Sequence, residues 1–304
     1  MALRVGILGA RGIGKVHARI FHALGDRVCA VLGSSSETAV AAVEDLRVSY
    51  GIRATPYHCL DELLKQPLDA LSICTPESLH YGQVVAALDR GLPVFCEKPL
   101  FWEENLSWGE IERRLAVLES HPQRRLTVNT SNNLLLEAVK DRLADPEDIR
   151  SFEFRFHTRG RYRGQGIAVD LLPHGASLLL SLFGERTLAD LDCVCHDDRW
   201  SCEFIYGGTC RVKFDFQQDP AGAKLLEFAA NGRTFRRRQE GQSATYRLCL
   251  EDSGTNEDIP VPDPFAVAIS RFRENCVCLA DSASDGFDTA AEIMRLMARC
   301  LGLN

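Results

Sequence analysis

The chain has no run of eighteen uncharged apolar residues, so no membrane-spanning helix is expected. It also has no excess of basic charge. Against 42 Asp and Glu there are 35 Lys and Arg, giving a net charge of −7 and a pI near 5.7, which argues against a general nucleic-acid binder. "MALRVGILG" runs straight into a strand pattern without the charged-then-apolar signature of a secretory leader. A cytoplasmic location is therefore expected, with the twelve cysteines as reduced thiols. No cysteine pair has the two-to-four-residue gap usual in structural zinc sites. Cys193 and Cys195, like Cys276 and Cys278, are separated by one residue, which on a strand puts the first pair on one face. No metal site is expected, although His196 follows Cys195. Internal repeats and low-complexity segments are absent as well.

What is present is the material of two domains: 304 residues, 45% hydrophobic and 25% charged. The first part alternates short apolar runs with helical patterns. Strands are expected at Leu3 to Leu8, Arg27 to Gly33, Asp69 to Thr75 and Pro93 to Pro99. Helices are expected at Ile13 to Leu24, Glu37 to Tyr50, "DELLKQ", His80 to Arg90 and Trp102 to Ser120. Buried strands joined by helices imply a parallel, doubly wound sheet. "RRLTVN" is either its last strand or a link out of it, and the boundary is placed between residues 124 and 125.

Beyond residue 150, alternating strands follow one another: Arg150 to His157, Leu188 to Cys195, Trp200 to Tyr206, Thr209 to Phe216, Lys224 to Ala230, Arg233 to Arg238 and Thr245 to Glu251. Gly207-Gly208 and Asn231-Gly232 are two-residue hairpin signals. An antiparallel meander is expected, interrupted by a helix from Ala168 to Phe183 and closed by helices from Pro264 to Leu279 and Gly286 to Leu301. The fold class is thus α/β: an N-terminal doubly wound parallel sheet (1–124) and a C-terminal α+β domain with a mainly antiparallel sheet (125–304).

"GARGIG" (Gly9 to Gly14) sits between the first strand and first helix, where backbone N–H groups can face a pyrophosphate. Gly9 permits the tight turn and Gly14 the close helix packing. Arg11 stands where the dinucleotide fingerprint has its second glycine, with Gly12 supplying backbone freedom beside it. The cofactor loop is read as Gly9, Arg11, Gly12, Ile13 and Gly14. The second strand ends "VLGSSSE", without the acid that would hold the ribose hydroxyls of NAD. Hydroxyls of Ser34 and Ser35 with the Arg11 guanidinium suit a 2′-phosphate, which favours NADP over NAD. Ser34 to Ser36 also suit a helix N-cap, and the two readings are compatible.

"CTPESLH" (Cys74 to His80), "CEKPL" (Cys96 to Leu100) and "DLLPH" (Asp170 to His174) follow in that order. With the glycine loop they resemble the Gfo/Idh/MocA oxidoreductases, named for glucose–fructose oxidoreductase and inositol dehydrogenase. The resemblance implies an N-terminal Rossmann domain, a C-terminal α+β domain with an open, mainly antiparallel sheet, and dimers or tetramers through that sheet. It places Thr75, Pro76, Glu97 and Lys98 beside the cofactor, and makes Lys98, Asp170 and His174 the catalytic group. His17 and His80 also fall in motif positions and are expected to position loops rather than react, with His80 on the cofactor side. The residue types agree with oxidation of an alcohol or its reverse. Histidine can move the hydroxyl proton, and an ammonium can stabilise charge on the oxygen. Asp170 and His174, four apart, share a helix face. Pro173 between them is expected to disturb the helix start.

The resemblance therefore implies an NAD(P)-dependent enzyme moving a hydride to or from a CH–OH/C=O carbon of a small polyol, sugar, sugar acid or cyclitol. An imine or C=C reductase of the same fold, and a non-enzymatic NADP-binding regulator, are the alternatives. The short-chain dehydrogenases, whose loop also ends in R-G-I-G, need Tyr-x-x-x-Lys, and none of the six tyrosines has lysine four residues on. "RSFEFRFHTRGRYRG" (Arg150 to Gly164) carries five arginines and leads to Asp170. Its Arg155, His157 and Arg163 form either a site for an anionic substrate, together with Lys98, Asp170 and His174, or a solvated face or subunit contact. "RTFRRRQ" (Arg233 to Gln239) is read as edge protection.

Overall fold

The computed structural model describes residues 2–241, 247–278 and 286–303. The expected positions Thr245, Tyr246 and Leu279 lie outside them. The chain divides into two units, Met1–Asn129 with Phe265–Ala291 and Thr130–Pro264 with Glu292–Asn304.

The first unit is a six-stranded parallel sheet of β1 (Arg4–Leu8), β2 (Arg27–Leu32), β3 (Thr55–Tyr57), β4 (Ala70–Ile73), β5 (Val94–Cys96) and β6 (Leu126–Val128), in the order β3-β2-β1-β4-β5-β6. Its crossovers are α1 (Ile13–Ala23), α2 (Ser36–Tyr50), α3 (Leu60–Leu63), α4 (Glu77–Leu88) and α5 (Trp108–Glu119). The order reverses between β1 and β4, the place where doubly wound sheets bind ligands at the carboxyl ends of their strands. All of β4 and β5 is buried, as a sheet covered on both faces requires. β6 pairs with β5, so "RRLTVN" contains the last strand of this sheet, and the expected division at 124/125 falls before it. α8 (Pro264–Cys278) returns to this unit because Ile269 and Phe272 complete the core around Val5, Ile7, Phe21 and Phe95. The Asp26 carboxylate there accepts from Leu3 N (2.9 Å) and Arg273 Nε (2.9 Å).

The second unit holds an eight-stranded sheet: β7 (Ser151–Thr158), β8 (Leu188–Cys195), β9 (Arg199–Tyr206), β10 (Cys210–Gln218), β11 (Leu225–Ala230), β12 (Arg233–Glu240), β13 (Arg247–Asp252) and β14 (Glu257–Val261). Its order is β14-β13-β12-β11-β7-β10-β9-β8. The sheet is not the simple meander expected from sequence. β7 inserts between two meanders, antiparallel to β11 and parallel to β10, with Phe154 opposite Phe214 and Phe156 opposite Phe216. The two hairpin signals do form their turns, with Gly207, Gly208, Asn231 and Gly232 all at positive φ.

α6 (Asn133–Glu137), α7 (Gln165–Phe183) and, from Glu292 on, α9 (Phe287–Cys300) accompany this sheet. α7 has the length and composition of a membrane span, with a mean hydropathy of 1.5, but 67% of that window is buried within the protein. Its apolar surface lies on the phenylalanine face of the sheet. A Cβ on Gly175 would meet the Phe154 ring at 3.0 Å and the Phe214 ring at 3.3 Å. Pro173 lies within a continuous helix that already begins at Gln165, so it does not set the helix start.

A large side chain at position 175 must push α7 off this platform. Gly175→Leu should therefore cost about 1–3 kcal/mol or more by overpacking. A urea midpoint unchanged from wild type would contradict the close fit.

Candidate active site

In the first unit the candidate residues cluster where β1, β4 and β5 end. Gly9 (φ 81°) makes the turn, and its N–H donates to Leu32 O (3.0 Å) at the end of β2. A Cβ on Gly9 would meet Cys74 O at 2.8 Å, and one on Gly14 would lie 2.0 Å from Gly9 O. Gly12, at φ 54°, is the N-cap of α1 and would project a Cβ into open space. No side chain caps α1 and its first turn holds no acid, so its N-terminal N–H groups suit an anion. These features fit a dinucleotide pyrophosphate. Arg11 is exposed beside Gly12, and Ile13 is half-buried at the helix start.

Ser35 is the N-cap of α2 and forms a reciprocal capping box with Thr38. The capping reading of the serines is thus realised at Ser35. Ser34, exposed, lies 3.3 Å from the Thr38 hydroxyl.

Thr75 and Pro76 lead into α4, and Thr75 Oγ1 donates to Gln83 Oε1 (2.6 Å). His80 is buried, with Nε2 2.8 Å from Thr75 O and Nδ1 2.8 Å from Pro99 O. It joins the turns after β4 and β5, a positioning place rather than a reacting one. Lys98 is half-buried after β5, and its backbone N–H donates to Glu97 Oε2 (3.3 Å).

Glu97 faces the interior. Its Oε1 accepts from Asn129 Nδ2 (2.6 Å) and lies 3.0 Å from Nε2 of His17 on α1. That last contact has the distance of an ion pair without the alignment of a hydrogen bond. His17 Nδ1 is 2.9 Å from Ser72 Oγ and 3.2 Å from Cys74 Sγ. Burial opposes charge on His17, but Cys74 and Glu97 outweigh it and push its pKa up to about 10. Burial likewise opposes charge on Glu97, yet His17 leads the groups that hold it below the usual carboxylate range. Sequence reasoning found both residues but not their pairing, and it missed Asn129 and Ser72.

In the second unit α7 carries Asp170 and His174, one turn apart and both half-buried. Each is held by an amide that the sequence did not mark. Gln218, fully buried at the end of β10, donates through Nε2 to Asp170 Oδ2 (2.6 Å) and accepts through Oε1 from Tyr162 N (2.8 Å). Asn132, before α6, places Nδ2 3.0 Å from His174 Nδ1. The His174 ring meets Phe156 edge-on, with centroids 5.2 Å apart.

The arginine-rich segment divides. Arg155 and His157 alternate with Phe154 and Phe156, so they point to the opposite face of the sheet from α7. There Arg155 pairs with Glu227 (3.1 Å) and His157 with Asp215 (3.3 Å). Burial resists the Asp215 charge, but His157 and Arg199 draw its pKa down to about 2. The structure therefore does not bring Arg155 and His157 to Asp170 and His174. Arg163 lies in the turn before α7, where it donates to Gln218 O (3.1 Å). β12 is an interior strand, so its arginines are not edge protection. One of them, Arg237, lies over the Phe156 ring (5.7 Å to the centroid), the ring that His174 also touches.

Among the described residues, no group of three or more His, Cys, Asp or Glu could hold a metal ion. A concavity of about 580 Å³ beside Arg27, Asp26 and Gly51 opens at the amino end of β2, the wrong end of the strands for a dinucleotide.

Residues 3–130 match the family described as "Oxidoreductase family, NAD-binding Rossmann fold". That stretch, the first unit's sheet and its crossovers, is thus of the Gfo/Idh/MocA oxidoreductase family. The chain is similar to an inositol 2-dehydrogenase of Cereibacter sphaeroides, 31% identical over 195 residues, or 61% of this chain. The match spans only 55% of that relative's length. An inositol 2-dehydrogenase of Ralstonia nicotianae is 26% identical across 96% of this chain and 84% of its own. The fold is shared with a 3-ketoreductase from Actinomadura kijaniata solved with TDP-benzene and NADP: TM-score 0.72 at 20% identity, covering 100% of this chain and 98% of that one.

The His17–Glu97 pair has a pH signature. A histidine raised above its ordinary 6.5 stabilises the fold fully below that value. The contribution is lost as pH rises toward the folded value. Wild-type stability to urea should thus fall between pH 6.5 and about 10 relative to His17→Gln, with the variant itself less stable by on the order of 3 kcal/mol. Parallel pH profiles would contradict the charged pair.

Proposed function

We propose that the chain is an NAD(P)-dependent oxidoreductase that moves a hydride to or from a CH–OH/C=O carbon of a small polyol, sugar, sugar acid or cyclitol. The observation that carries this reading is the otherwise apolar α7, which presents Asp170 and His174 on one face, each held by its own amide. Such groups, costly to bury, are kept in place by dedicated partners. Similarity to inositol 2-dehydrogenases supports a cyclitol or sugar-like substrate.

A bound nicotinamide supplies the hydride acceptor or donor. Gly9, Gly12, Gly14 and the first N–H groups of α1 would hold its pyrophosphate. Arg11 and Ser34, both exposed, would take a 2′-phosphate, and the lack of an acid at the end of β2 supports NADP over NAD.

With Asn132 Oδ1 accepting from His174 Nδ1–H, Nε2 would take a hydroxyl proton during oxidation, and the imidazolium so formed would return it to the oxygen during reduction. One asparagine thus serves both directions. The Lys98 ammonium stabilises negative charge on the reacting oxygen. Asp170, fixed by Gln218, accepts from a substrate hydroxyl. Arg237, which packs on the same Phe156 ring as His174, supports an acidic or phosphorylated substrate.

The test is a nicotinamide-absorbance screen of the chain with NADPH or NADH against sugars, sugar acids and cyclitols. Lys98→Ala and His174→Ala should each lower kcat about 10²- to 10⁴-fold while cofactor affinity stays near wild type. Arg11→Ala should weaken NADPH about tenfold or more and NADH little, as loss of a charge-assisted contact implies. Full activity in both catalytic variants would overturn the mechanism. Cofactor binding with no turnover of any compound would favour the regulator.

A further inference from the structure

Outside this site, three thiols of the second unit come together. β8 is the outermost strand of its sheet, and its Cys193 stands directly opposite Cys202 on β9. Cys300 reaches the same place from the last turn of α9, close enough for the three thiols to influence one another's ionisation. All three are free thiols. They differ in access: Cys193 is exposed, whereas Cys202 and Cys300 are 3% and 4% exposed.

Directly opposed residues of an antiparallel pair have Cα atoms about 4.5 or 5.5 Å apart, depending on the hydrogen-bonding class. Both values lie inside the roughly 4.4–6.8 Å that a disulfide spans. Cys195 is the internal contrast. It is exposed, on the same strand and the same face, but stands opposite Trp200.

We propose that Cys193 and Cys202 form a peroxide-sensitive thiol-oxidation site, with Cys193 the reacting thiol and Cys202 the resolving one. The Cys193 thiolate attacks one oxygen of hydrogen peroxide. The O–O bond breaks, Cys193 becomes a sulfenic acid, and the leaving hydroxide takes a proton to form water. The Cys202 thiol then displaces the sulfenic hydroxyl, forming the S–S bond and a second water. Two thiols lose two electrons in all, and one peroxide is reduced to two waters.

Charge placement agrees with this order. Hydrogen bonds from Cys202 and Cys300 pull the Cys193 thiol well below its ordinary value. Burial holds Cys202 well above, and the bond to Cys193 raises Cys300. These directions agree with the exposed Cys193 as the reacting thiol and the buried Cys202 as the resolving one.

The hairpin so closed bears on α7. At its tip, Asp197 O accepts from Gly164 N (2.9 Å), the N-cap of α7, and Asp198 O accepts from Gln218 N (3.0 Å). Gln218 is the residue that holds Asp170.

The experiment treats the full, reduced chain with dilute hydrogen peroxide, blocks remaining thiols, and digests with trypsin without reduction. Cleavage after Arg186, Arg199 and Arg211 separates Cys193 and Cys195 from Cys202 and Cys210. A link between the two peptides should form, reverse with dithiothreitol, persist in Cys195→Ser and Cys210→Ser, and vanish in Cys193→Ser. Because Cys202→Ser alters a buried position, the exposed Cys193→Ser carries the test. Sulfenic acid trapped by dimedone should build up at Cys193 at least tenfold faster than at Cys195. A link that survives Cys193→Ser, a link from Cys193 to Cys300 instead, or equal trapping at the two exposed cysteines would overturn the proposal.

Discussion

A buried pair of opposite charges, His17 with Glu97, ties the helix that starts at the glycine turn to the strand end that carries Lys98. Neither group could stay ionised in that interior alone. Ser72, Cys74 and Asn129 complete the cluster, so α1, β4, β5 and the segment after β6 share one polar knot. Gly14 allows it, since α1 reaches His17 only by starting against the Gly9 carbonyl. The turn that would receive a pyrophosphate and the lysine that would meet an oxygen are thereby fixed by one set of contacts.

The second unit solves a different problem. A helix apolar enough to be lost in a core must still present two polar side chains. Gly175 lets α7 settle onto Phe154 and Phe214, while Gln218 and Asn132 satisfy Asp170 and His174 from the sheet and from α6's approach. Arg155 and His157 of β7 are turned away by strand alternation and meet Glu227 and Asp215 on the far face.

Much of this was legible in the residues. Buried apolar strands with helices between them and the glycine turn after the first strand show in the residues alone. What escaped has physical causes. β3 and β14 are edge strands containing Pro56 and Pro260, and edges need neither continuous apolar runs nor every N–H. The parallel β7–β10 pairing joins strands far apart in sequence, which no hairpin signal reports. Gln218, Asn132 and Asn129 carry no pattern, because an amide's role depends on what the fold places beside it. The arginines of β12 have the charge of an edge strand, but β13 and β14 lie beyond β12 in the sheet.

The central claim is that the first unit holds a nicotinamide dinucleotide at the Gly9–Gly14 turn, with NADP preferred. Titration of the intact chain with NADPH and with NADH, followed by nicotinamide fluorescence, tests it most directly. Saturable binding of both, tighter for NADPH, is the predicted result. Absence of saturable binding by either cofactor would contradict the account, and tighter NADH binding would contradict its assignment of Arg11 and Ser34.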